Sequence, residues 1–283
     1  MGSILETRKL TFSYNKDIVA LKEVDISIAE GKTTAILGGN GSGKSTLFLN
    51  LNGVLKPTSG EVLFKGQSVM SGRSDLTELR RHIGIVFQNP DDQLFSTDVR
   101  SDIAFGPLNM GLSKEEVIRR VEEVMDQTGV RAYADQPTHA LSFGQKKRVA
   151  IAGVLAMKPE VIILDEPTAG LDPSGVTEIL GLLMTLKEKN SLTVILSTHE
   201  IDLVPLYCDE VYVLDQGCVV MHGTGESIFK FPQILRRHAL RLPRIGHLME
   251  ILNRKDQLDV DVSAATIGKA RQSILRLVGK RDE

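Results

Sequence analysis

Three observations predict an α/β fold whose sheet has parallel central strands. Strand-like and helix-like segments alternate through the second half of the chain. Val161-Ile162-Ile163-Leu164 is a continuous apolar run, the pattern of a strand covered on both faces. A Gly-rich loop joins the strand-like run Thr33 to Leu37 to a helix-like stretch that opens at Lys44.

Taken in order, the first elements are short and β-like. Leu10 to Tyr14 and Val24 to Ile28 alternate as half-buried antiparallel strands do. Glu30-Gly31-Lys32 suits the turn into Thr33 to Leu37. The helix from Lys44 to Val54 is broken by Lys56-Pro57-Thr58-Ser59-Gly60, ahead of a strand at Glu61 to Phe64. Ile83 to Phe87 reads as a strand and Gln88 to Ser96 as a polar loop. The stretch that follows reads as helical. Ser113-Lys114-Glu115-Glu116 has the capping-box pattern, with Val117, Val121, Val124 and Met125 at helical spacing and Gly129 as the stop. Beyond Leu164, Ser174 to Lys189 reads as a helix, and Thr193 to Leu196 and Glu210 to Leu214 as strands.

The 283 residues are 42% apolar and 25% charged, as in an ordinary globular protein with one large domain and a small appendage. A net charge of −2 argues against a dominant nucleic-acid-binding role. That total is uneven: Pro232 to Glu283 carries 11 Lys/Arg against 6 Asp/Glu, which suggests a separate basic C-terminal unit. Two cysteines, Cys208 and Cys218, do not make a disulfide scaffold and are expected to be free thiols. No run approaches the ~18 apolar residues of a bilayer span. Met1 to Glu6 lacks the basic and apolar regions of a signal peptide. The expectation is a cytosolic chain whose membrane role comes through partners.

Gly38-Gly39-Asn40-Gly41-Ser42-Gly43-Lys44-Ser45 fits G-x-x-x-x-G-K-[ST] between a strand and a helix. Glycines let successive N–H groups converge on an anion, and the helix N-terminus adds partial positive charge. Lys44 can reach β- and γ-phosphates, and the Ser45 hydroxyl can ligate Mg²⁺. Asp165 and Glu166 follow the apolar strand directly. Asp165 is placed to hold Mg²⁺, and Glu166 to orient or deprotonate the attacking water.

Leu141-Ser142-Phe143-Gly144-Gln145 narrows the field, with Ser142 standing 23 residues before Asp165. With Tyr14, Gln88, Ala169-Gly170-Leu171-Asp172 and His199 in order, the chain resembles the ATP-binding cassette (ABC) family over roughly residues 5 to 230. The resemblance implies a phosphate-loop ATPase fold with a mixed sheet core, an antiparallel β subdomain, a helical subdomain at about 91–160 and a small C-terminal extension. It implies an ATPase domain at 1–231 and a dimerisation unit at 232–283. Tyr14 would stack on adenine, and Gly38, Gly39, Asn40, Gly41, Ser42, Gly43, Lys44, Ser45 and Thr46 would bind ATP. Ser45, Gln88 and Asp165 would hold Mg²⁺. Glu166, His199 and Gln88 would be catalytic, His199 on the γ-phosphate and Gln88 as a sensor of the partner. Ser142, Phe143, Gly144 and Gln145 would complete the ATP site of the opposite subunit, with Asp172 at the dimer interface. Two positions depart from the family pattern: Gly39 stands where Pro is usual, and Phe143 where a second Gly is usual.

Gln88-Asn89-Pro90-Asp91-Asp92-Gln93-Leu94-Phe95-Ser96 resembles the segment after the glutamine in energy-coupling-factor importer ATPases. Phe143 followed by Lys146-Lys147-Arg148 resembles their cobalt or nickel branch. The implied partners are an integral membrane coupling subunit, a substrate-binding membrane subunit and a second copy of the chain, with no nucleic acid. The implied location is the cytoplasmic face of the membrane. Vitamin importers share most of these motifs, and a soluble cassette ATPase acting on DNA or ribosomes is the reading from another class. Leu94 and Phe95 suit docking to the membrane subunit, or inward packing.

His82, His139, His199, His222, His238 and His247 show no ligand-like spacing, so the one metal expected is Mg²⁺. Asp91-Asp92 suits a cation or a solvated turn. In the tail, Ile245, Leu248, Met249, Ile251 and Leu252, then Leu258, Val260 and Val262, suit a small helical unit that holds a dimer. A basic face drawn to a membrane surface is the alternative.

Overall fold

The computed structural model describes residues 2–15, 17–69 and 73–279, without the side chains of 73–75. The last four residues of the basic tail thus lie outside the described residues.

β1 (Ser3–Ser13) and β2 (Val19–Ala29) pair antiparallel, and both are longer than the alternation of their cores predicts. They continue through β-bulges, where register shifts interrupt the pattern. β3 (Thr33–Leu37) leads through the Gly-rich loop into α1 (Lys44–Leu51). β4 (Ser59–Phe64) pairs with β1, and β5 (Gln67–Ser68) adds the edge of a four-stranded antiparallel sheet ordered β2-β1-β4-β5. α2 (Arg73–His82) runs directly into β6 (Ile83–Val86).

Three helices then form one layer: α3 (Val99–Asn109), α4 (Lys114–Thr128) and α5 (Phe143–Leu155). α4 begins and ends where expected, with Gly129 at φ 71° as its left-handed stop. Its capping box is only half formed. Ser113 Oγ accepts from the Glu116 N–H, while the Glu116 carboxylate turns to Arg119 and Arg120 at 2.8 and 2.7 Å. Two guanidinium partners outcompete one neutral amide.

β7 (Val161–Leu164) is buried throughout, followed by α6 (Pro173–Asn190), β8 (Thr193–Ser197), the short α7 (Val204–Tyr207) and the hairpin β9 (Glu210–Asp215) and β10 (Cys218–Gly223). The second sheet has the order β10-β9-β3-β8-β7-β6, parallel except for β10. Successive residues of its central strands enter different cores. Ile36, Val161, Ile163 and Ile195 join α1 and the antiparallel sheet. Ala35, Leu37, Ile162, Leu164, Val194 and Leu196 join the helices on the opposite face. This two-sided burial is why no polar residue interrupts Val161 to Leu164.

α8 (Gly225–Phe229) leads to the tail, which forms α9 (Pro232–Arg237), α10 (Arg244–Arg254) and α11 (Ile267–Leu277). Met249, Val260, Ala264 and Ala270 make a small core of their own. Leu235, Leu242 and Ala265 instead enter the main core. Glu250 is buried and accepts from Arg236 Nη1 at 2.9 Å and again from Nη2. Cys208 and Cys218 are free, and burial pushes the Cys208 thiol up to about 12. Among the described residues no helix is long and apolar enough to cross a membrane.

Candidate active site

β3, β6, β7 and β8 all deliver their C-terminal ends to one rim of the second sheet, where ligands bind in such folds. The Gly-rich loop leaves β3 and its last glycine caps α1. Gly43 stands at φ 107°, and a Cβ there would lie 2.8 Å from the Ala20 carbonyl. At Gly38 a Cβ would meet the Leu214 carbonyl at 2.3 Å. Only glycine fits either position. Gly39 has open space around it, so its departure from the family pattern crowds nothing.

The Lys44 ammonium donates to the carbonyls of Gly38 and Gly39 at 2.9 and 3.1 Å. Burial lowers its pKa, opposed by the negative charge of Glu166 and Asp165. Ser45 Oγ donates to Asp165 Oδ2 at 2.5 Å, so the loop and β7 meet. Ser42 Oγ is buried in the loop with no protein partner. The loop borders a cleft of about 500 Å³, lined also by Tyr14, Gln88, Glu166, Gln216 and Gly217. Tyr14 is 57% exposed, edge-on to Phe12, with its hydroxyl 3.0 Å from Thr46 Oγ1.

Glu166 is the hub. Its Oε2 accepts from Gln88 Nε2 at 3.1 Å, and its Oε1 lies 2.6 Å from His199 Nε2. Its backbone is left-handed, φ 48°, which for a non-glycine residue is a strained conformation held by surroundings.

Two residues that hold it had no role implied by any motif. Ser197, at the end of β8, donates from Oγ to Asp165 Oδ1 at 2.6 Å and accepts from the Glu166 N–H at 2.9 Å. Lys147, on α5 and only 2% exposed, donates to the carbonyls of Gln88 and Glu166 at 3.1 and 3.0 Å. Burial lowers its ammonium to about 8, against the pull of Glu166 and Asp165. A lysine flanked by two other cations in sequence reads as a solvated helix face. The signal against that reading is Ala150 and Ile151, three and four residues on, whose burial turns that face inward.

The signature residues are not among those lining this cleft. Ser142 caps α5 and forms a complete capping box with Gln145: Ser142 Oγ accepts from the Gln145 N–H, and Gln145 Oε1 from the Ser142 N–H. The exposed Phe143 ring rests against Gly170. Asp172 caps α6 by accepting from the Gly175 N–H at 2.8 Å.

The loop after Gln88 is also built, and its two apolar residues part company. Asp102 accepts from the N–H groups of Phe95 and Ser96, which fixes the loop's end. Leu94 packs against the core, while Phe95 is 64% exposed and stacks edge-on with the half-exposed Phe105. A groove of about 340 Å³ runs beside them, with Arg80 and Arg81 on its rim. Asp91 pairs with Lys146 at 2.6 Å and Asp92 accepts from Asn89, so this is a turn knit to its own neighbours. Among the described residues no group of three or more His, Cys, Asp or Glu side chains is placed to hold a metal ion. The Ser45, Gln88 and Asp165 oxygens are a different and harder donor set, of the kind Mg²⁺ takes beside phosphate.

A phosphate loop and an Asp-Glu pair at the ends of two parallel strands, β3 and β7, that flank β8, with a capped helix whose exposed N-terminus opens within a Leu-Ser-x-Gly-Gln sequence, define an ABC-type ATPase. Residues 21–169 match the family profile described as ABC transporter, and the chain belongs to that family. Within it the chain groups with the energy-coupling factor ATP-binding proteins. It is 52% identical to "Energy-coupling factor transporter ATP-binding protein EcfA3" of Clostridium perfringens over 96% of this chain and 95% of that one. It is 49% identical to the protein EcfA of Methanocaldococcus jannaschii, over 98% and 99% of the two chains. The solved structure of cbiO1 from Clostridium perfringens, described as part of the ABC transporter complex cbiONQ, superposes with a TM-score of 0.77. It is 52% identical and covers 89% of this chain and 100% of that one. A dimeric cassette in a post-hydrolysis state, bound to ADP and Pi, superposes at 0.70 with 31% identity over 78% and 98%.

Proposed function

We propose that this ATPase energises an energy-coupling-factor importer for cobalt or nickel ions, as a homodimer on the cytoplasmic face of the membrane. The observation that carries the reading is the Glu166 carboxylate, gripped by Gln88 and His199 at the mouth of the phosphate-loop cleft.

The residues act as follows. Tyr14 stacks on adenine, and the N–H groups from Gly38 through Thr46 cradle the phosphates. Lys44 moves from the Gly38 and Gly39 carbonyls onto phosphate oxygens, to which Ser42 Oγ adds a donor. Ser45, Gln88 and Asp165 would hold Mg²⁺, which supplies charge neutralisation at the phosphates. Glu166 accepts a proton from the attacking water, and His199 donates to the γ-phosphate. Ser142, Phe143, Gly144 and Gln145 open α5 on the surface, and a helix N-terminus presented to the γ-phosphate of a second copy makes closure depend on ATP. Asp172 lies at that interface, and the tail from residue 232 helps hold the dimer.

Phe95, Phe105 and the groove beside them suit a helix of the membrane coupling subunit, placed to feel any motion of the Gln88 loop. The cobalt or nickel cargo rests on the resemblance of Phe143 and Lys146-Lys147-Arg148 to that branch. A vitamin importer is the alternative.

The test is affinity purification of tagged Glu166→Gln protein from native membranes, read by mass spectrometry. A small integral membrane protein with a metal-type substrate subunit supports the reading. A vitamin-binding subunit moves the cargo to the alternative. Ribosomal or DNA-associated proteins alone overturn the importer.

A further inference from the structure

We propose that Lys147 is a positioning residue for ATP hydrolysis: its ammonium, under the Phe143 ring, fixes the main chain of Glu166 and joins it to that of Gln88. This rests on the assignment of Glu166 as the group that activates water.

Burying an ammonium is expensive, and an apolar side chain of similar length would pack at lower cost. Its donors are accordingly all directed. Two go to the Gln88 and Glu166 carbonyls. The ammonium also stands 5.3 Å from the centre of the Phe143 ring, within cation–π range.

The carbonyl it holds belongs to a strained residue. Glu166 at φ 48° persists only if its neighbours over-determine it. Its N–H is held by Ser197 Oγ, and its carbonyl accepts from Lys147 and from the Ala169 N–H at 3.1 Å. Without Lys147 the peptide after Glu166 keeps one local turn bond and loses the tie to α5. The carboxylate is then free to leave Gln88 and His199.

The same helix ties the docking loop twice, through Lys147 to the Gln88 carbonyl and through Lys146 to Asp91. Phe143 closes the arrangement by resting on Gly170, four residues past Glu166. Phe143, which departs from the family pattern, and the buried Lys147 therefore meet beside Glu166.

The experiment measures ATP turnover, ATP affinity and melting temperature for wild type, Lys147→Met, Lys147→Gln and Glu166→Gln. Methionine keeps the length of the stem and removes the donors. Glutamine keeps a donor. The expected result for Lys147→Met is a kcat about 10–100-fold lower, with KM and ATP affinity within about 3-fold of wild type. Lys147→Gln is expected to recover at least half of that loss on a logarithmic scale. Wild-type kcat in Lys147→Met, a change in KM alone, or a glutamine variant no better than methionine overturns the proposal. So does a drop in melting temperature with parallel loss of ATP binding in both variants, which marks Lys147 as a packing residue. Glu166→Gln separates the two readings. If it turns over normally, the assignment of Glu166 fails, whatever Lys147 does. If it is inactive while Lys147→Met is normal, only the inference about Lys147 fails.

Discussion

His199 Nε2 and Glu166 Oε1 lie 2.6 Å apart, so the loop that leaves β8 touches the carboxylate delivered by the neighbouring strand β7. With Gln88 on Oε2, both carboxylate oxygens are engaged, and the group is oriented from two sides. Glu166→Gln preserves the shape and removes the base. Turnover is expected to fall by a factor of about 10²–10⁴, with ATP still bound and a dimer accumulating. Phosphate release and light scattering with ATP measure the two effects.

Ser197→Ala removes one hydroxyl that serves two masters. Asp165 loses a donor and the Glu166 N–H loses its acceptor. The buried groups left unpaired cost about 1–3 kcal/mol. The expected outcome is a lower melting temperature together with a fall in kcat. A variant with unchanged kcat would show that Asp165 and Glu166 keep their places without it.

Gly43→Ala puts a Cβ 2.8 Å from the Ala20 carbonyl at a backbone angle that L-residues rarely adopt. The loop must open to admit it. ATP affinity, followed with a fluorescent ATP analogue, is expected to drop at least 10-fold, which is about 1.4 kcal/mol.

The Arg236 guanidinium holds the Glu250 carboxyl below the usual carboxylate range. A depressed acid stabilises the fold above its unfolded pKa, about 4.3, and the benefit vanishes as pH falls through the folded value. Because Arg236 is partly exposed, the pair contributes about 1–2 kcal/mol at neutral pH. Glu250→Gln is therefore expected to melt earlier at pH 7 and to match wild type more closely at pH ~3.5. Equal melting gaps at both pH values would refute the linkage.

The parts of the site that sequence revealed are those whose chemistry is carried by side chains at fixed local spacing. The phosphate loop needs Gly38, Gly43 and Lys44 within one turn, and Asp165-Glu166 directly ends an unbroken apolar strand. Lys147 and Ser197 escaped because their key partners include main-chain groups of Gln88 and Glu166, which no spacing displays. β10 escaped for a related reason: it lies at the sheet edge, mostly half-buried, without the alternation that marked Val24 to Ile28. The reciprocal half of the Ser113 capping box was lost to Arg119 and Arg120, a competition decided by charge and not by position.

The strand order has a further consequence for how the chain is made. β3 leaves synthesis early, yet its two sheet neighbours, β8 and β9, follow about 160 residues later or more. At about 5–20 residues per second that is a wait of roughly 10–30 s. During it the apolar strand Thr33 to Leu37 has neither edge paired, and the nascent antiparallel sheet and α1 are the surfaces at hand to shelter it. A ribosome-bound chain cut short before Ser197 is therefore the form of this protein most exposed to aggregation.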